Sequence, residues 1–418
     1  MRHVSLAVIG VLVISPLAFG QEQGDRLSLQ AALRMAYQRN PRLLQARQEV
    51  EAARGRWIQN RALPNPEVEV SATELQEGLR GGSTVGDDSI AFSQEVDVLG
   101  KFWLRGKAGK AGYQAAQHRL QQAWNEVVFD VSRAYNTLLL STQRMAVTRE
   151  VLTLTRSFLD QVLLRYNAGE VRRNELLRAQ IEVAKAENAV LQAEKQIALD
   201  AAALNILLGQ DARMPLLPGD ELVYEAQDLD PDRLLRQALA QRPDLKASEA
   251  DIKAQHKQWQ LAISDILENP TVSAIGTKEG TEKVLGLAIR WPIPFWNQNR
   301  GAIREAKAEL TKREIEREAL VRQVGLEVMA AIAEARLAQR QVNTWKTGVE
   351  QANELMRVAT QQYREGDINF LTYLEHLGTI RETKVAYVEA LANYRTQLAL
   401  VDQAVASTVF PESKEAVR

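Results

Sequence analysis

Apolar residues along this chain follow two periods, and the switch between them marks its elements. Near Glu67 every second residue is apolar, with Val68, Val70 and Ala72 set against Glu67, Glu69, Ser71 and Thr73. A partner segment sets Ile90, Phe92, Val96 and Val98 against Ser89, Ser93, Glu95 and Asp97. Later, Leu285, Leu287, Ile289 and Trp291 alternate with Val284, Gly286, Ala288 and Arg290, after a weaker partner at Thr271–Gly276. Period two predicts strands with one apolar face. They pair as two β-hairpins, 67–98 and 271–291, the first with a glycine-rich loop at 77–88.

Elsewhere the period is helical. No proline falls between Pro66 and Pro215 or between Pro294 and Pro411. Those stretches are rich in Ala, Gln, Glu, Leu and Arg, which favour helix, whereas proline would break one. The pattern predicts long helices over 105–167 and 300–364, each on the order of 90 Å. Tight turns at Gly169 and Gly366, where glycine can take positive φ, lead into returning helices 174–208 and 370–405. Heptad seams flank the turns: Val349, Ala352, Met356, Ala359 and Tyr363, and Leu152, Thr155, Leu159, Val162 and Tyr166. The second returning helix offers Tyr373, Leu377, Ile380, Tyr387, Leu391, Tyr394, Leu398 and Val401, with Lys384 as a polar interruption.

The two halves repeat one another. Leu33, Arg34, Ala36, Pro41, Leu43 and Trp57 reappear at a constant offset as Leu235, Arg236, Ala238, Pro243, Leu245 and Trp259. Asn65-Pro66, Arg105-Gly106 and the Tyr166–Glu170 turn are echoed by Asn269-Pro270, Arg300-Gly301 and Tyr363–Asp367. Ordered matches of this kind indicate duplication. The expected organisation is a first repeat over 21–208, a linker over 209–231, a second repeat over 232–405 and a tail over 406–418, each repeat reading helix, hairpin, long helix, returning helix.

The start reads as an export signal over 1–20: Arg2 and His3, an apolar run from Val4 to Ile14, and a small-residue cleavage site at Ala18-Phe19-Gly20. Later segments fall short of a transmembrane helix. The chain of 418 residues is 45% hydrophobic and 25% charged with formal net charge -1, so no basic excess points to nucleic acid. Cysteine is absent, which removes disulfides, thiolate metal sites and a lipid-bearing N-terminal cysteine. His3, His118, His256 and His376 show no ligand spacing with one another. There is no nucleophile elbow and no phosphate loop. We therefore expect no catalytic site, cofactor or bound metal. The bases Lys101, Arg105, Lys107 and Lys110 are expected at a membrane edge rather than on a phosphate.

Alternating strands fit either hairpins packed on a soluble helical domain or membrane strands. Four strands cannot close a barrel, and lipid tolerates no open edge. A membrane location then requires several copies: two would supply eight strands and three would supply twelve.

The duplicated helix–hairpin–long helix–turn–helix order resembles the TolC-like outer membrane factor family over nearly the whole chain. Leu63-Pro64-Asn65-Pro66, the Phe92–Lys101 segment and the Trp291–Gly301 segment are similar to its CzcC-type branch, associated with heavy-metal efflux. The resemblance implies a mainly α fold with a β-barrel part: a homotrimeric α-helical barrel in the periplasm under a twelve-stranded barrel in the outer membrane. It implies a passive exit duct for divalent metal cations, working with a periplasmic adaptor and an inner-membrane resistance–nodulation–division pump. Gly169, Glu170, Gly366 and Asp367 would be adaptor-docking tips. Glu375 would form an acidic constriction, while Thr372 departs from the family's second acid. Leu285, Leu287, Ile289 and Trp291 would face outer-membrane lipid. Other cargo such as drugs, or a periplasmic coiled-coil adaptor in place of a duct, are the alternative functions.

Overall fold

The computed structural model describes residues 26–73, 87–279 and 282–407. The signal segment, most of the 77–88 loop and nearly all of the 406–418 tail lie outside the described residues. Eight helices and four strands are described: α1 (Leu29–Arg39), α2 (Pro41–Asn60), β1 (Glu67–Thr73), β2 (Asp87–Glu95), α3 (Lys101–Asn167), α4 (Arg173–Leu207), α5 (Pro231–Gln241), α6 (Pro243–Ser264), β3 (Thr271–Glu279), β4 (Glu282–Arg290), α7 (Arg300–Glu365) and α8 (Phe370–Val405).

Proline explains the first difference from the sequence reading. Each repeat begins with two short helices, not one, because Pro41 and Pro243 hold the first position of α2 and α6. Proline has no N–H to donate and pushes the preceding residue out of helical geometry. Asn40 and Arg242 accordingly have extended ψ values of 124° and 125°. The segment between the repeats keeps its expected length, running over 208–230 between the end of α4 at Leu207 and the start of α5 at Pro231. A second difference is the start of α3 at Lys101 instead of Arg105. The Asp97 carboxylate accepts hydrogen bonds from the backbone N–H groups of Lys101 and Phe102 at 2.8 and 2.9 Å, satisfying two otherwise orphaned donors.

Helices α3 and α7 contain 67 and 66 residues. At 1.5 Å per residue each is about 100 Å long. The helices form one layer, α3 packing against α2 and α6 near the strands and against α4 and α8 further along. Helix α7 flanks α6 and then α8. Thus α2 stands end-on to α4, and α6 end-on to α8.

Both end-on junctions are closed by the residue before the proline. Asn40 Nδ2 donates to the carbonyl of Leu207, near the end of α4, at 2.7 Å, while its Oδ1 caps Arg42 and Leu43. In the second repeat Arg242 donates to the carbonyl of Ala404, near the end of α8, at 3.3 Å. The guanidinium is buried and also pairs with Asp244 and Glu327, both at 2.6 Å. Burial opposes its charge, but the two carboxylates more than restore it, so its pKa lies above the usual arginine range.

The apolar cores follow the helix contacts. Near α1, Val131, Tyr135, Leu138 and Leu204 are completely buried with Ala32 and Ala36. Tyr135 donates to the Leu27 carbonyl and lies 2.9 Å from Asp220, tying the segment after α4 to α3. Burial pushes its hydroxyl up to about 12. Towards the turns, Phe158 joins Leu159 in the seam and is the more deeply buried of the two. Its ring stacks on Tyr373 at 4.3 Å and touches Tyr363 at 4.8 Å, while Leu159 is half-buried. A single heptad seam misses Phe158 because α3 packs on two helices at once, which widens its buried face. Lys384 is half-buried and pairs with Glu150 of α3 at 2.6 Å.

The two hairpins join into one antiparallel sheet of order β1-β2-β3-β4, the first repeat meeting the second at β2–β3. Strand β3 runs to Glu279, well past Gly276. Strand β2 stops at Glu95, which leaves Val96 and Val98 outside the sheet.

Unequal chemistry at the two junctions gives a prediction. Arg242→Ala strands two carboxylates and should destabilise the fold by about 3 kcal/mol. Asn40→Ala removes a helix cap and should cost about 1 kcal/mol. Thermal unfolding of the purified variants, read by far-ultraviolet circular dichroism, should rank them in that order.

Candidate functional site

Three regions hold the residues that the sequence singles out: the sheet, the helical turns at the far end, and the groove beside Glu375. In the sheet, cross-strand registers decide which side chains share a face. Val68, Phe92, Ala274 and Leu287 stand in one row, and Val70, Ile90, Gly276 and Leu285 in the next. Gln94, Val272 and Ile289 form a third. This face is apolar yet uncovered, with Leu285 and Leu287 both 83% exposed. The row of Asp88, Lys278 and Lys283 closes it with charge.

The opposite face is small and polar. Its rows are Glu67, Ser93, Ser273 and Ala288; Glu69, Ala91, Ile275 and Gly286; and Ser71, Ser89, Thr277 and Val284. Ser71 and Ser89 share a hydrogen bond of 2.7 Å, and Ser93 and Ser273 one of 2.8 Å. Glu67, Glu69 and Glu95 place carboxylates on this face, as does Glu282 at its far end, against Arg290 on β4.

Trp291 is a correction. It lies one residue beyond β4, where Pro292 follows. Its indole Nε1 donates to the Glu268 carbonyl at 3.0 Å, so it is fixed to the chain after α6 and is not a strand residue. Lys101 is another. It is buried and paired with Asp265 at 3.0 Å, so it bridges α3 to the end of α6 and is withdrawn from any membrane-edge cluster.

At the far end Gly169 and Gly366 both have positive φ, 78° and 87°. Each closes its helix with the same pair of hydrogen bonds. Gly169 donates to Tyr166 and Glu170 to Arg165; Gly366 donates to Tyr363 and Asp367 to Gln362. This is the glycine-dependent C-terminal cap that reverses a chain without leaving carbonyls unpaired. A Cβ on either glycine would meet nothing within 4 Å, so backbone conformation is the constraint. Arg165, which the sequence did not single out, joins the tips: it pairs with Glu170 at 3.1 Å and donates to the Tyr363 carbonyl at 3.3 Å.

Glu375 is exposed on α8 and lines a groove of about 440 Å³ between α4 and α8. Lys185 and Arg381 line the same groove. Thr372 helps start α8, its N–H bonding Asn369 Oδ1 at 3.0 Å. The histidines stay apart: His118 contacts Gln121 and His256 packs edge-on to Trp259. Among the described residues no group of three His, Asp or Glu side chains could hold a metal ion. Also among them, no helix is long and apolar enough to cross a membrane.

Long helical rods joined to a small sheet with an uncovered apolar face define an outer-membrane channel with a periplasmic helical part. The chain belongs to the outer membrane efflux protein family, whose model matches residues 32–210 and 234–407. It is thus an efflux channel and not an enzyme. Among similar proteins, the cobalt-zinc-cadmium resistance protein CzcC of Cupriavidus metallidurans is 24% identical over 92% of this chain and 91% of its own. Outer membrane protein OprJ of Pseudomonas aeruginosa is 24% identical over 88% of this chain and 81% of its own. The crystal structure of the Campylobacter jejuni CmeC outer membrane channel superposes with a TM-score of 0.78 at 16% identity, covering 97% of this chain and 93% of that one.

Open space with positive φ yields a prediction at the tip. Gly366→Asn should be tolerated, because asparagine visits the left-handed region, whereas Gly366→Val should cost on the order of 2 kcal/mol of local stability. Hydrogen exchange of the 363–370 amides should speed up markedly in the valine variant alone.

Proposed function

We propose that three copies of this chain close into a passive exit duct for divalent heavy-metal cations, working with a periplasmic adaptor and a resistance–nodulation–division pump. The observation that carries the reading is the incompleteness of the single chain. Its apolar sheet face is uncovered, and β1 and β4 each keep one edge unpaired. Unpaired edges are untenable in lipid, so further copies must cover them. The helices repeat the message. On α4, Leu177, Ile181, Leu191, Leu199 and Ile206 are exposed, and at 100° per residue they fall within roughly 40° of Leu177. On α7, Ile315, Leu326, Met329 and Leu337 form a similar stripe. These two helices end the layer on either side, and the stripes suit contact between neighbouring copies.

Similarity to CzcC along most of both chains supports the metal reading. So does the polar sheet face, where Glu67, Glu69 and Glu95 would make the lumen attractive to cations. A conduit needs weak sites, since tight ligation would slow release. Glu375 would add a carboxylate ring near the periplasmic mouth. The tips at Gly169-Glu170 and Gly366-Asp367 would meet the adaptor, with Leu285, Leu287 and Ile289 against lipid.

The mass of the protein in mild detergent should correspond to a trimer, and a monomer or a dimer would rule the assembly out. Deleting the gene should sensitise cells to zinc, cobalt or cadmium more than to hydrophobic drugs. Unchanged metal tolerance would remove the cargo while leaving the duct. In planar bilayers, Glu67→Gln with Glu69→Gln should lower cation preference, and Glu375→Gln should lower it further. Unchanged selectivity would show that those side chains do not line the pore. For docking, Gly366→Val should leave the trimer intact but abolish adaptor cross-linking and efflux. Normal cross-linking with normal efflux would refute the tip assignment.

A further inference from the structure

The level at which strands give way to helices has a composition unlike the rest of the molecule. Among the described residues seven basic groups lie over aromatic rings, and four of those pairs sit at this level: Arg61 on Trp57, Arg105 on Phe102, Lys107 on Trp103 and Lys307 on Trp259. Lys107 Nζ lies only 3.2 Å from the Trp103 ring centre. Three aromatic side chains here stay largely exposed, Trp103 even with Lys107 over one of its faces. Trp296 is 95% exposed and Phe295 72%, their rings edge-on at 6.2 Å, and Trp103 is 61% exposed.

Bases outnumber acids at this level although the chain as a whole carries -1, the acids Glu95, Asp97, Asp265 and Glu268 lying on the strand side of it. From Gly100 to Lys110 there are four bases and no acid, and among the described residues only Lys101 has an acidic partner, Asp265. From Arg290 to Lys307 four bases stand against Glu305 alone. Trp103, Lys107 and Lys110 follow at i, i+4 and i+7, hence on one face of α3. Exposed indole rings next to unpaired bases are poorly served by water. They are well served by a bilayer interface, where the ring lies among headgroup and acyl carbons and the ammonium reaches a phosphate. Continuity decides the occupant: this level adjoins the uncovered apolar face of the sheet on the side of the helices.

We propose that Trp103, Lys107 and Lys110, together with Phe295, Trp296 and Lys307, form a collar that seats on the periplasmic leaflet and selects anionic phospholipid headgroups. The collar rests on the membrane-inserted reading of the sheet, but it adds a lipid preference that the apolar strands cannot supply. Hydrocarbon contact with Leu285 or Leu287 is blind to headgroup charge. Ammonium groups at the interface are not, and each favours an anionic surface in a salt-dependent manner.

The test uses the full chain reconstituted into phosphatidylcholine vesicles with and without phosphatidylglycerol. Lipids with brominated chains quench nearby tryptophan, and competition between the two headgroups gives a relative association constant. The wild type should favour phosphatidylglycerol, and added salt should weaken the preference. The double variant K107Q/K110Q should lose about twofold to fivefold of it. W296L should keep the preference but lose part of the quenching, which keeps the test readable if the double variant assembles poorly. No headgroup preference in the wild type, or an equal one in K107Q/K110Q, would overturn the collar while leaving the inserted sheet in place. Quenching unchanged by W296L would also overturn it, by showing that another protein surface covers Trp296. Failure of the wild type to insert into either vesicle would overturn the collar and the membrane reading together.

Discussion

A free helix of about 100 Å curves gently under solvent and thermal forces, so its course in a protein is set by what packs along it. Here α3 is held by both repeats over its length. The first repeat supplies α2 and α4, the second α6 and α8. Along the second flank a series of polar contacts runs from Lys101–Asp265 through Arg119–Asp251 and Asn125–Gln403 to Glu150–Lys384. Exposed ion pairs contribute little each to stability. They act here as register marks, because each lysine or arginine on one helix has its carboxylate at a single height on the other.

Continuity of the four helical tracks follows from the end-on junctions. Two short helices must meet two returning helices without leaving the last carbonyls bare. Asn40 and Arg242 solve the same problem with different chemistry, a neutral cap in one repeat and a buried cation held by Asp244 and Glu327 in the other. Duplication conserved the task and not the residue. The result is a molecule whose two halves share a backbone plan but differ in how strongly their junctions are fixed.

The sheet meets a different constraint. Seven or nine residues per strand give little area, and one face is left with apolar side chains that water does not favour. Pairing β2 with β3 merges the hairpins and leaves only two edges to be covered. Serine pairs and carboxylates on the other face suit a hydrated passage.

Local rules were enough for a large part of this. Alternation in 67–73 and 284–290, the proline-free stretches and the glycines at 169 and 366 report backbone preferences that act within a few residues. Strand type, long helices and positive-φ turns were therefore legible in the sequence, as was the duplication. Chain order could not show that the hairpins share one sheet, since Ser93 and Ser273 meet across a separation of 180 residues. Nor could it show that Phe158 joins Leu159 in the core, that Lys101 is buried, or that Trp291 is anchored to Glu268. Each of those outcomes depends on two helices or two repeats packing on one side chain. Burial and partner choice are properties of the space between elements, and the tertiary structure decided them.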